Sequence, residues 1–380
     1  MAVLGTIAAF LAVLVVLVLV HELGHFIVAK RAGITVQEFG IGFPPRIGSV
    51  IWRGTRYSVN WIPLGGFVKM LGEDGEAEEE RLRRDGLSEA QIELAMAGAF
   101  NRKPIPIRIL VLLAGVFMNF LLAATMFAAA LSLPAQVGHG PLTVTEVQPN
   151  SPAEGKLQVG DQIVSADGRS FTDGALDRSR DLTAYVASRA GHEVALGVMR
   201  NGKQLDVVVV PRALTDEQRA QGLGSIGFMY EPARIVQEPS PVDSPVRAIA
   251  EGTAAAWGLA IRIPGGLAEA VGGLIGLNPG AADAARGPIG IAEETGRVLE
   301  APLVSQLLFV GVLSINLAVL NVLPFPPLDG GRIAVVLIEA VRRRRLPAER
   351  EALIYLTGFA VLIALVILIS IQDVSRLLGG

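Results

Sequence analysis

The stretch LVLVHELGHFIVAK, residues 17–30, places two histidines and a glutamate at the end of a run of apolar residues. Histidines four positions apart lie on one face of a helix, about 6 Å from each other, so both imidazoles can reach one tetrahedral zinc ion. Glu22 lies about 100° around the helix from His21, where it can approach a water molecule without being a ligand. The pattern predicts a zinc site at His21 and His25, with Glu22 as general base.

A blander interpretation is a pair of structural histidines that hydrogen-bond to neighbouring helices. Burying a glutamate beside lipid costs about 2.5 kcal/mol or more on insertion scales. Three polar groups in one helical turn therefore need a compensating interaction, and a divalent cation would supply it. This argument favours the metal site.

The composition limits the chemistry that is open to this chain. It has 380 residues, of which 51% are hydrophobic and 18% charged, a net charge of -3 and no cysteine. This balance argues against nucleic-acid binding. Without cysteine there is no thiolate ligand, thiol nucleophile or disulfide, so a metal must be bound by histidine or carboxylate.

Four segments are apolar and long enough to cross a bilayer, which takes about 20 residues. They cover approximately residues 2–24, 107–131, 303–323 and 352–371. The first segment lacks the basic start and small-residue cleavage site of a signal peptide, and we interpret it as a retained helix. The fold class predicted is an α-helical polytopic membrane protein.

Basic residues near the ends of these segments predict their orientation. They follow the first segment, precede or open the second, and separate the third from the fourth: Lys30, Arg31, Arg102, Lys103, Arg108 and the run RRRR at 342–345. These loops are expected in the cytosol. The N-terminus, residues 134–302 and the C-terminus are then expected outside.

A third metal ligand is expected at the same membrane depth as His21, which lies about 28 Å along the first helix at 1.5 Å per residue. The third segment also runs inward and ends in NLAVLNVLPFPPLDGGR, residues 316–332. Its prolines break the helix, and broken backbone at this depth is tolerated where it lines a cavity. Asp329 is therefore the best-placed ligand, and its alternative role is to cap the next helix. Weaker candidates are His139, His192, Glu293, Glu294, Glu73 and Asp74.

Outside the membrane segments, several stretches have recognisable patterns. Residues 57–71 alternate around Pro-Leu-Gly-Gly and predict a β-hairpin, whereas 73–100 suggest a solvated, amphipathic segment. Residues 138–212 are rich in predicted strands, with a hairpin turn at Asn201-Gly202. Residues 213–242 suggest a polar connector, and the Gly/Ala-rich stretch 244–279 suggests a surface or interfacial segment.

The stretch VQPNSPAEGKLQVGDQIVSADGRSF resembles a PDZ domain, through its Ser-Pro-Ala, Gly-Asp-x-Ile and Asp-Gly elements at 143–171. PDZ domains bind an extended peptide by adding it as a strand, so peptide binding is an expected partner interaction. The predicted organisation has four parts. They are 1–133 with the first two membrane helices, 134–212 with the PDZ-like domain, 213–302 as extracytoplasmic connector, and 303–380 with the last two helices.

The chain as a whole resembles the site-2 proteases, and among them the bacterial regulator-of-sigma-E type of intramembrane zinc metalloprotease. The resemblance is carried by HELGH at 21–25, GIGFPP at 40–45, PLGGFVKMLGE at 63–73, GPIGIAEETG at 287–296 and NVLPFPPLDGG at 321–331. It implies the same metal ligands, His21, His25 and Asp329, and the same catalytic base, Glu22.

The resemblance also implies features that the residues alone do not indicate. Asn321, and less directly Asn316, match family asparagines that help to hold the substrate, although a helix-helix hydrogen bond is an equal alternative. The hairpin resembles a re-entrant β-loop that receives unwound substrate. The implied location is the bacterial inner membrane, and the implied substrate is a single-pass membrane protein such as an anti-sigma factor.

Three functional hypotheses follow. The first is an intramembrane zinc protease. The second is a membrane-anchored zinc peptidase that acts on soluble or loop peptides, and the third is a non-catalytic scaffold that recruits partners through its PDZ-like domain. The presence of both Glu22 and Asp329 counts against the scaffold.

Overall fold

The computed structural model describes residues 2–73, 77–170, 179–214, 224–240, 242–274, 287–344 and 346–379. The chain divides into two compact units. The first contains residues 1–130, 244–274 and 285–380, and the second contains residues 131–243 and 275–284. The predicted metal site belongs entirely to the first unit.

The first unit is built mainly of helices. In chain order they are α1 (Ala2–Arg31), α2 (Ala77–Arg84), α3 (Glu89–Ala95), a 3-10 turn (Phe100–Arg102) and α4 (Ile105–Leu131). After the second unit come α6 (Pro245–Leu274), α7 (Pro288–Leu299), α8 (Leu303–Val322), α9 (Asp329–Arg342) and α10 (Ala348–Gly379). In the described ranges, four stretches are long and apolar enough to span a membrane: Leu4–Arg31, Ile105–Leu131, Leu303–Val322 and Glu349–Ser375. The prediction of four membrane helices is confirmed.

The β-hairpin of the first unit differs from the prediction. Strand β1 (Val36–Trp52) pairs antiparallel with β2 (Thr55–Met70), and the tight turn is at Arg53-Gly54. Both turn residues have positive φ, 48° and 77°, as a two-residue hairpin turn requires. The chain also reverses direction at a bend around Pro-Leu-Gly-Gly inside β2, because residues before and after this stretch run in opposite directions along β1. The predicted turn is therefore present, and the pairing of its two arms is what differs.

This bend makes β2 wrap around β1. Residues 56–59 of β2 pair in parallel with 38–41 of β1, and residues 66–69 pair antiparallel with the same residues from the opposite side. The two arms of the predicted hairpin therefore do not pair with each other. Alternation of apolar and polar residues predicts strands but not which strands pair, and this is why the sequence suggested that the two arms pair with each other.

Helix α6 packs its small residues against two of the membrane helices. Ala256 is fully buried in a cluster with Ala123 and Phe127 of α4 and Ile315 of α8. Residues 275–279, the last part of the predicted surface or interfacial segment 244–279, lie outside the described ranges. Residues 73–100, the expected amphipathic segment, contain the short helices α2 and α3.

The second unit contains a six-stranded sheet in the described ranges. Its strands are β3 (Ala135–Val147), β4 (Gln162–Ala166), β5 (Arg169–Ser170), β6 (Val194–Arg200), β7 (Lys203–Val209) and β8 (Phe228–Glu238), with helix α5 (Ser179–Ser188). The order is β7-β6-β4-β3-β8, and β5 pairs with β4. Asn201-Gly202 forms the predicted turn between β6 and β7, where Arg200 pairs with Lys203.

Strand β8 lies in the segment that the sequence suggested as a polar connector, residues 213–242. It pairs along most of β3, from Ala135 with Glu238 to Val147 with Phe228. The sequence FMYEPARIVQE contains a proline, two glutamates and one arginine, which lowers its strand signal. Pairing with β3 overrides that weak local preference.

A buried ion pair anchors β4 to β6 in this unit. Asp161 is 1% exposed, and its Oδ2 accepts a hydrogen bond of 2.6 Å from Arg200. This hydrogen bond from the guanidinium holds the pKa of Asp161 below its usual value. Because Asp161 belongs to the Gly-Asp-x-Ile element, this contact gives that element a structural role here.

Candidate metal centre

Three side-chain atoms from two distant parts of the chain meet at one point. Nε2 of His21 lies 2.9 Å from Oδ2 of Asp329 and 3.2 Å from Nε2 of His25. The same carboxylate oxygen lies 3.2 Å from Nε2 of His25. In the described part of the chain, these three residues form the group that could hold a metal ion.

The triangle of ligand atoms fits the size of a zinc ion. In a tetrahedral zinc site with bonds of about 2.0–2.1 Å, neighbouring ligand atoms lie about 3.3 Å apart. The observed separations of 2.9 Å to 3.2 Å are close to this value. Two imidazoles and one carboxylate also leave a fourth position for water or substrate, as in catalytic zinc sites.

Helix α4 holds the imidazole of His25 in the orientation that metal binding needs. Nδ1 of His25 donates a hydrogen bond of 2.8 Å to the backbone carbonyl of Val111. A proton on Nδ1 leaves the lone pair of Nε2 free, which selects the metal-binding tautomer. The two imidazole rings meet edge to face, with centroids 4.8 Å apart.

Gly115 of α4 lies directly against both imidazoles. A Cβ atom at this position would be 2.5 Å from Nε2 of His25 and 2.8 Å from Nε2 of His21. Contacts that close do not occur in folded proteins, so a side chain here must displace the rings. The absence of a side chain at residue 115 is therefore part of how the site is built.

We predict that Gly115→Ala weakens the binding of a divalent metal. Changes in the groups that orient metal ligands typically cost about 10–100-fold in affinity, and we expect a loss of this size. Chelator competition with Zn²⁺ on the purified protein measures it. Gly5→Ala is the matched control, because nothing lies within 4 Å of a Cβ there. Equal affinities for the two variants would contradict this role of Gly115.

Tight folding of the chain after α8 brings Asp329 to the histidines. Helix α8 ends at Val322, and α9 begins at Asp329. A Cβ on Gly330 would clash with the backbone oxygens of Val322 and Leu323, so the first turn of α9 lies against the end of α8. The Gly-Gly pair after Asp329 allows this close approach of backbone to backbone.

The three candidate ligands line a cavity of about 560 Å³, here called the metal cavity, a size typical of ligand sites. Its lining includes three carboxylates, Glu22, Glu73 and Asp329, and one guanidinium, Arg332. With neutral imidazoles the charge of this lining is -2, and Arg332 is ion-paired with Glu73. A divalent cation would balance the remaining two carboxylates, which agrees with the donor set.

The two asparagines that the family resemblance suggested lie in different surroundings. Asn321 lines the cavity and donates to the carbonyl of Leu317, whereas Asn316 donates to the carbonyl of Val312 within its own helix and is not part of the lining.

The weaker ligand candidates do not join the triad. His139 pairs with Glu238 in the second unit, and His192 contacts the carbonyl of Ala190. Glu293 and Glu294 pair with Arg297 on α7. Asp74 lies outside the described residues.

Sequence reasoning missed Asn119 of α4, which also touches the site. Its Nδ2 lies 3.3 Å from Nδ1 of His21, and the side chain is fully buried. The signal was present, because a polar amide inside an apolar membrane segment is rare and needs a partner.

Known proteins that are similar to this chain over most of its length are named as proteases. The sequence model of peptidase family M50 matches residues 9–365. A Clostridium perfringens protein named as a zinc metalloprotease, CPE1693, is 33% identical over 359 residues, covering 94% of this chain and 95% of its own length. The regulator of sigma-W protease RasP of Bacillus subtilis is 29% identical, with 98% of this chain and 99% of its own length covered.

Several solved structures are similar to part of the chain. One of them is the PDZ domain of the SdrC-like protein from Listeria innocua, with 24% identity and a TM-score of 0.21. The match covers 25% of this chain and 97% of that domain.

Proposed function

The chain belongs to peptidase family M50, the site-2 protease family, and we propose that it cleaves a peptide bond within or near the transmembrane helix of a single-pass membrane protein. As a member of this family it is a zinc metalloprotease. One observation carries the proposal. The two imidazole nitrogens and the carboxylate oxygen meet in a cavity lined by α1 and α8, which are long and apolar enough to cross a membrane.

In this proposal His21, His25 and Asp329 are the zinc ligands, and Glu22 is the general base. When bound there, zinc polarises the scissile carbonyl and makes water a nucleophile near neutral pH. Glu22 lies in the same cavity without belonging to the triad. Its carboxylate takes a proton from the attacking water and later returns it to the leaving amine.

The end of β2 is suited to hold an unwound substrate segment. Residues 66–70 pair with β1 on one side, and Gly66, Phe67, Val68 and Met70 line the metal cavity. An extended peptide added to this edge would have its backbone hydrogen bonds satisfied beside the metal. We assign a supporting role in substrate holding to Asn321, which lines the same cavity, and a more distant one to Asn316.

Exposed apolar side chains on the hairpin favour its insertion into the membrane. Trp52, Trp61 and Val50 are 57%, 67% and 68% exposed. Large apolar surfaces of this kind mark contact with a membrane or a partner. We therefore propose that β1 and β2 form a re-entrant hairpin.

The proposed location is the bacterial inner membrane, with both termini outside. Arg342 at the end of α9 is exposed, as are Arg343 and Arg344 between α9 and α10, where a cytosolic loop is expected from its positive charge. This orientation puts His21 near the cytosolic end of α1. It predicts that the substrate is cut in the cytosolic half of its helix.

Co-expression with tagged single-pass proteins tests this function. We expect a new, shorter fragment whose terminus, determined by mass spectrometry, falls in the cytosolic half of the substrate helix. Co-expression with the Glu22→Gln variant is the negative control, in which we expect no new fragment. Cuts in the outer half would contradict the orientation, and cleavage of soluble peptides alone would favour the membrane-anchored peptidase.

We also propose that the second unit binds an extended peptide. A groove there is lined by Leu182, Thr183 and Val186 of α5 and by residues 224–228 and Tyr230. Strand β8, on the other side of the groove, is the last strand of its sheet in the described ranges. An edge strand beside a helix is the arrangement by which PDZ domains add a peptide strand.

A further inference from the structure

One polar atom of Asn119 has no hydrogen-bond partner in the part of the chain that the structure describes. The side chain is 0% exposed, and its Nδ2 lies 3.3 Å from Nδ1 of His21. Its Oδ1 is buried with no hydrogen-bond partner among the described residues. A buried acceptor without a partner destabilises the folded state, so its presence beside the proposed metal centre needs an explanation.

The chemistry of histidine ligands supplies one. An imidazole that gives Nε2 to a metal carries its proton on Nδ1, where the proton needs an acceptor. For His25 that acceptor is the carbonyl of Val111. For His21, Nδ1 faces the amide of Asn119, and the amide has one atom that can accept and one that can only donate.

A rotation of this amide by 180° gives the Nδ1 proton its acceptor and gives Oδ1 a hydrogen-bond partner, while Nδ2 takes the present position of Oδ1. It brings Oδ1 to the position that Nδ2 has now, beside Nδ1 of His21. The orphaned oxygen then accepts the Nδ1 proton, and the lone pair of Nε2 points to the metal. Oxygen and nitrogen of an amide have nearly the same shape, so the rotation needs no repacking.

Asn119 is itself held in place by another helix. Oγ of Ser314, on α8, donates a hydrogen bond of 2.8 Å to the backbone carbonyl of Asn119, and Ser314 is fully buried. Helix α8 leads directly into the turn that carries Asp329. The contact therefore joins the helix that orients His21 to the helix that precedes the third ligand.

We propose that Asn119 is a positioning residue for His21, accepting the Nδ1 proton through Oδ1 and thereby selecting the tautomer that presents Nε2 to the metal. This inference depends on the proposed function, because it assumes that His21 binds the metal. It goes beyond that function in assigning a role to a residue that does not touch the metal or the substrate.

The test compares variants of the full-length, metal-stripped protein in detergent. Asn119→Leu keeps the approximate shape and removes the acceptor, and we expect its affinity for Zn²⁺, measured by chelator competition, to fall about 10–100-fold. Asn119→Asp keeps an acceptor and should restore affinity to near the wild-type value. Thr125→Val removes a hydroxyl that bonds within α4 and is the matched control.

Separate outcomes distinguish the two levels of the proposal. The proposed metal centre is wrong if the wild type does not bind Zn²⁺, or if the His21→Ala variant binds it as tightly as the wild type. If the wild type binds and Asn119→Leu binds equally well, only the positioning role is overturned. A purely structural role would lower the thermal unfolding midpoint in excess chelator and leave the affinity unchanged. Asn119→Ala, which removes the same acceptor without bulk, replaces the leucine variant if that variant does not fold.

Discussion

Replacing Glu22 by glutamine is expected to abolish peptide hydrolysis while zinc binding stays intact. Glutamine has nearly the same shape as glutamate, but its neutral amide cannot take a proton from water. General acid–base catalysis contributes about 10²–10⁴-fold to rates, and we expect a loss in this range. Zinc binding should persist, because Glu22 is not one of the three residues whose ligand atoms converge.

The measurement is fragment release from a co-expressed substrate, together with the zinc content of the purified variant. Glu251→Gln is the matched control, since Glu251 is an exposed residue of α6 that pairs with Arg247. It should cleave at the wild-type rate. Turnover by Glu22→Gln within a few-fold of wild type would remove Glu22 from the mechanism, whereas loss of zinc would make it a ligand.

Replacing Asp329 by asparagine is expected to remove both zinc and activity. An amide is a much poorer zinc ligand than a carboxylate, and the two histidines alone do not complete a catalytic site. Loss of a group that only orients a ligand costs about 10–100-fold in affinity, so loss of a ligand should cost more than 100-fold. Equilibrium dialysis against Zn²⁺ and the cleavage assay measure the two effects.

This substitution also separates the two roles considered for Asp329. Asparagine caps helices about as well as aspartate, so a capping role alone predicts normal zinc binding in Asp329→Asn. The structure favours the metal role, since the carboxylate contacts His21 and His25 and the N-cap residue of α9, Leu328, makes no side-chain cap. Asp206→Asn, at an exposed position of β7, is the control. Zinc affinity equal to that of this control would contradict the assignment.

Arg332 and Glu73 connect the metal cavity to the region around it. Their ion pair joins α9 to the loop that follows β2, and both residues line the metal cavity. They also line a second, smaller cavity with Arg108, Glu339 and Tyr355. The ion pair between Arg332 and Glu73 therefore helps to fix the orientation of α9, the helix that begins with Asp329.

Much of this protein follows from short-range patterns in its sequence. Runs of apolar residues predict the four membrane helices, since span length depends only on bilayer thickness and rise per residue. The spacing of His21, Glu22 and His25 puts the histidines on one helical face because helix geometry is regular. The Asn201-Gly202 turn follows in the same way from backbone conformations that these residues favour.

Other features were decided only by contacts between distant segments. The wrapping of β2 around both sides of β1, the pairing of β8 with β3, and the contact of Asn119 with His21 depend on which faces meet. Such contacts are selected by packing of the whole chain, and local preferences do not encode them. The separation of 308 residues between His21 and Asp329 is the extreme case. The sequence suggested both residues, and tertiary packing alone brings their ligand atoms within 2.9 Å of each other.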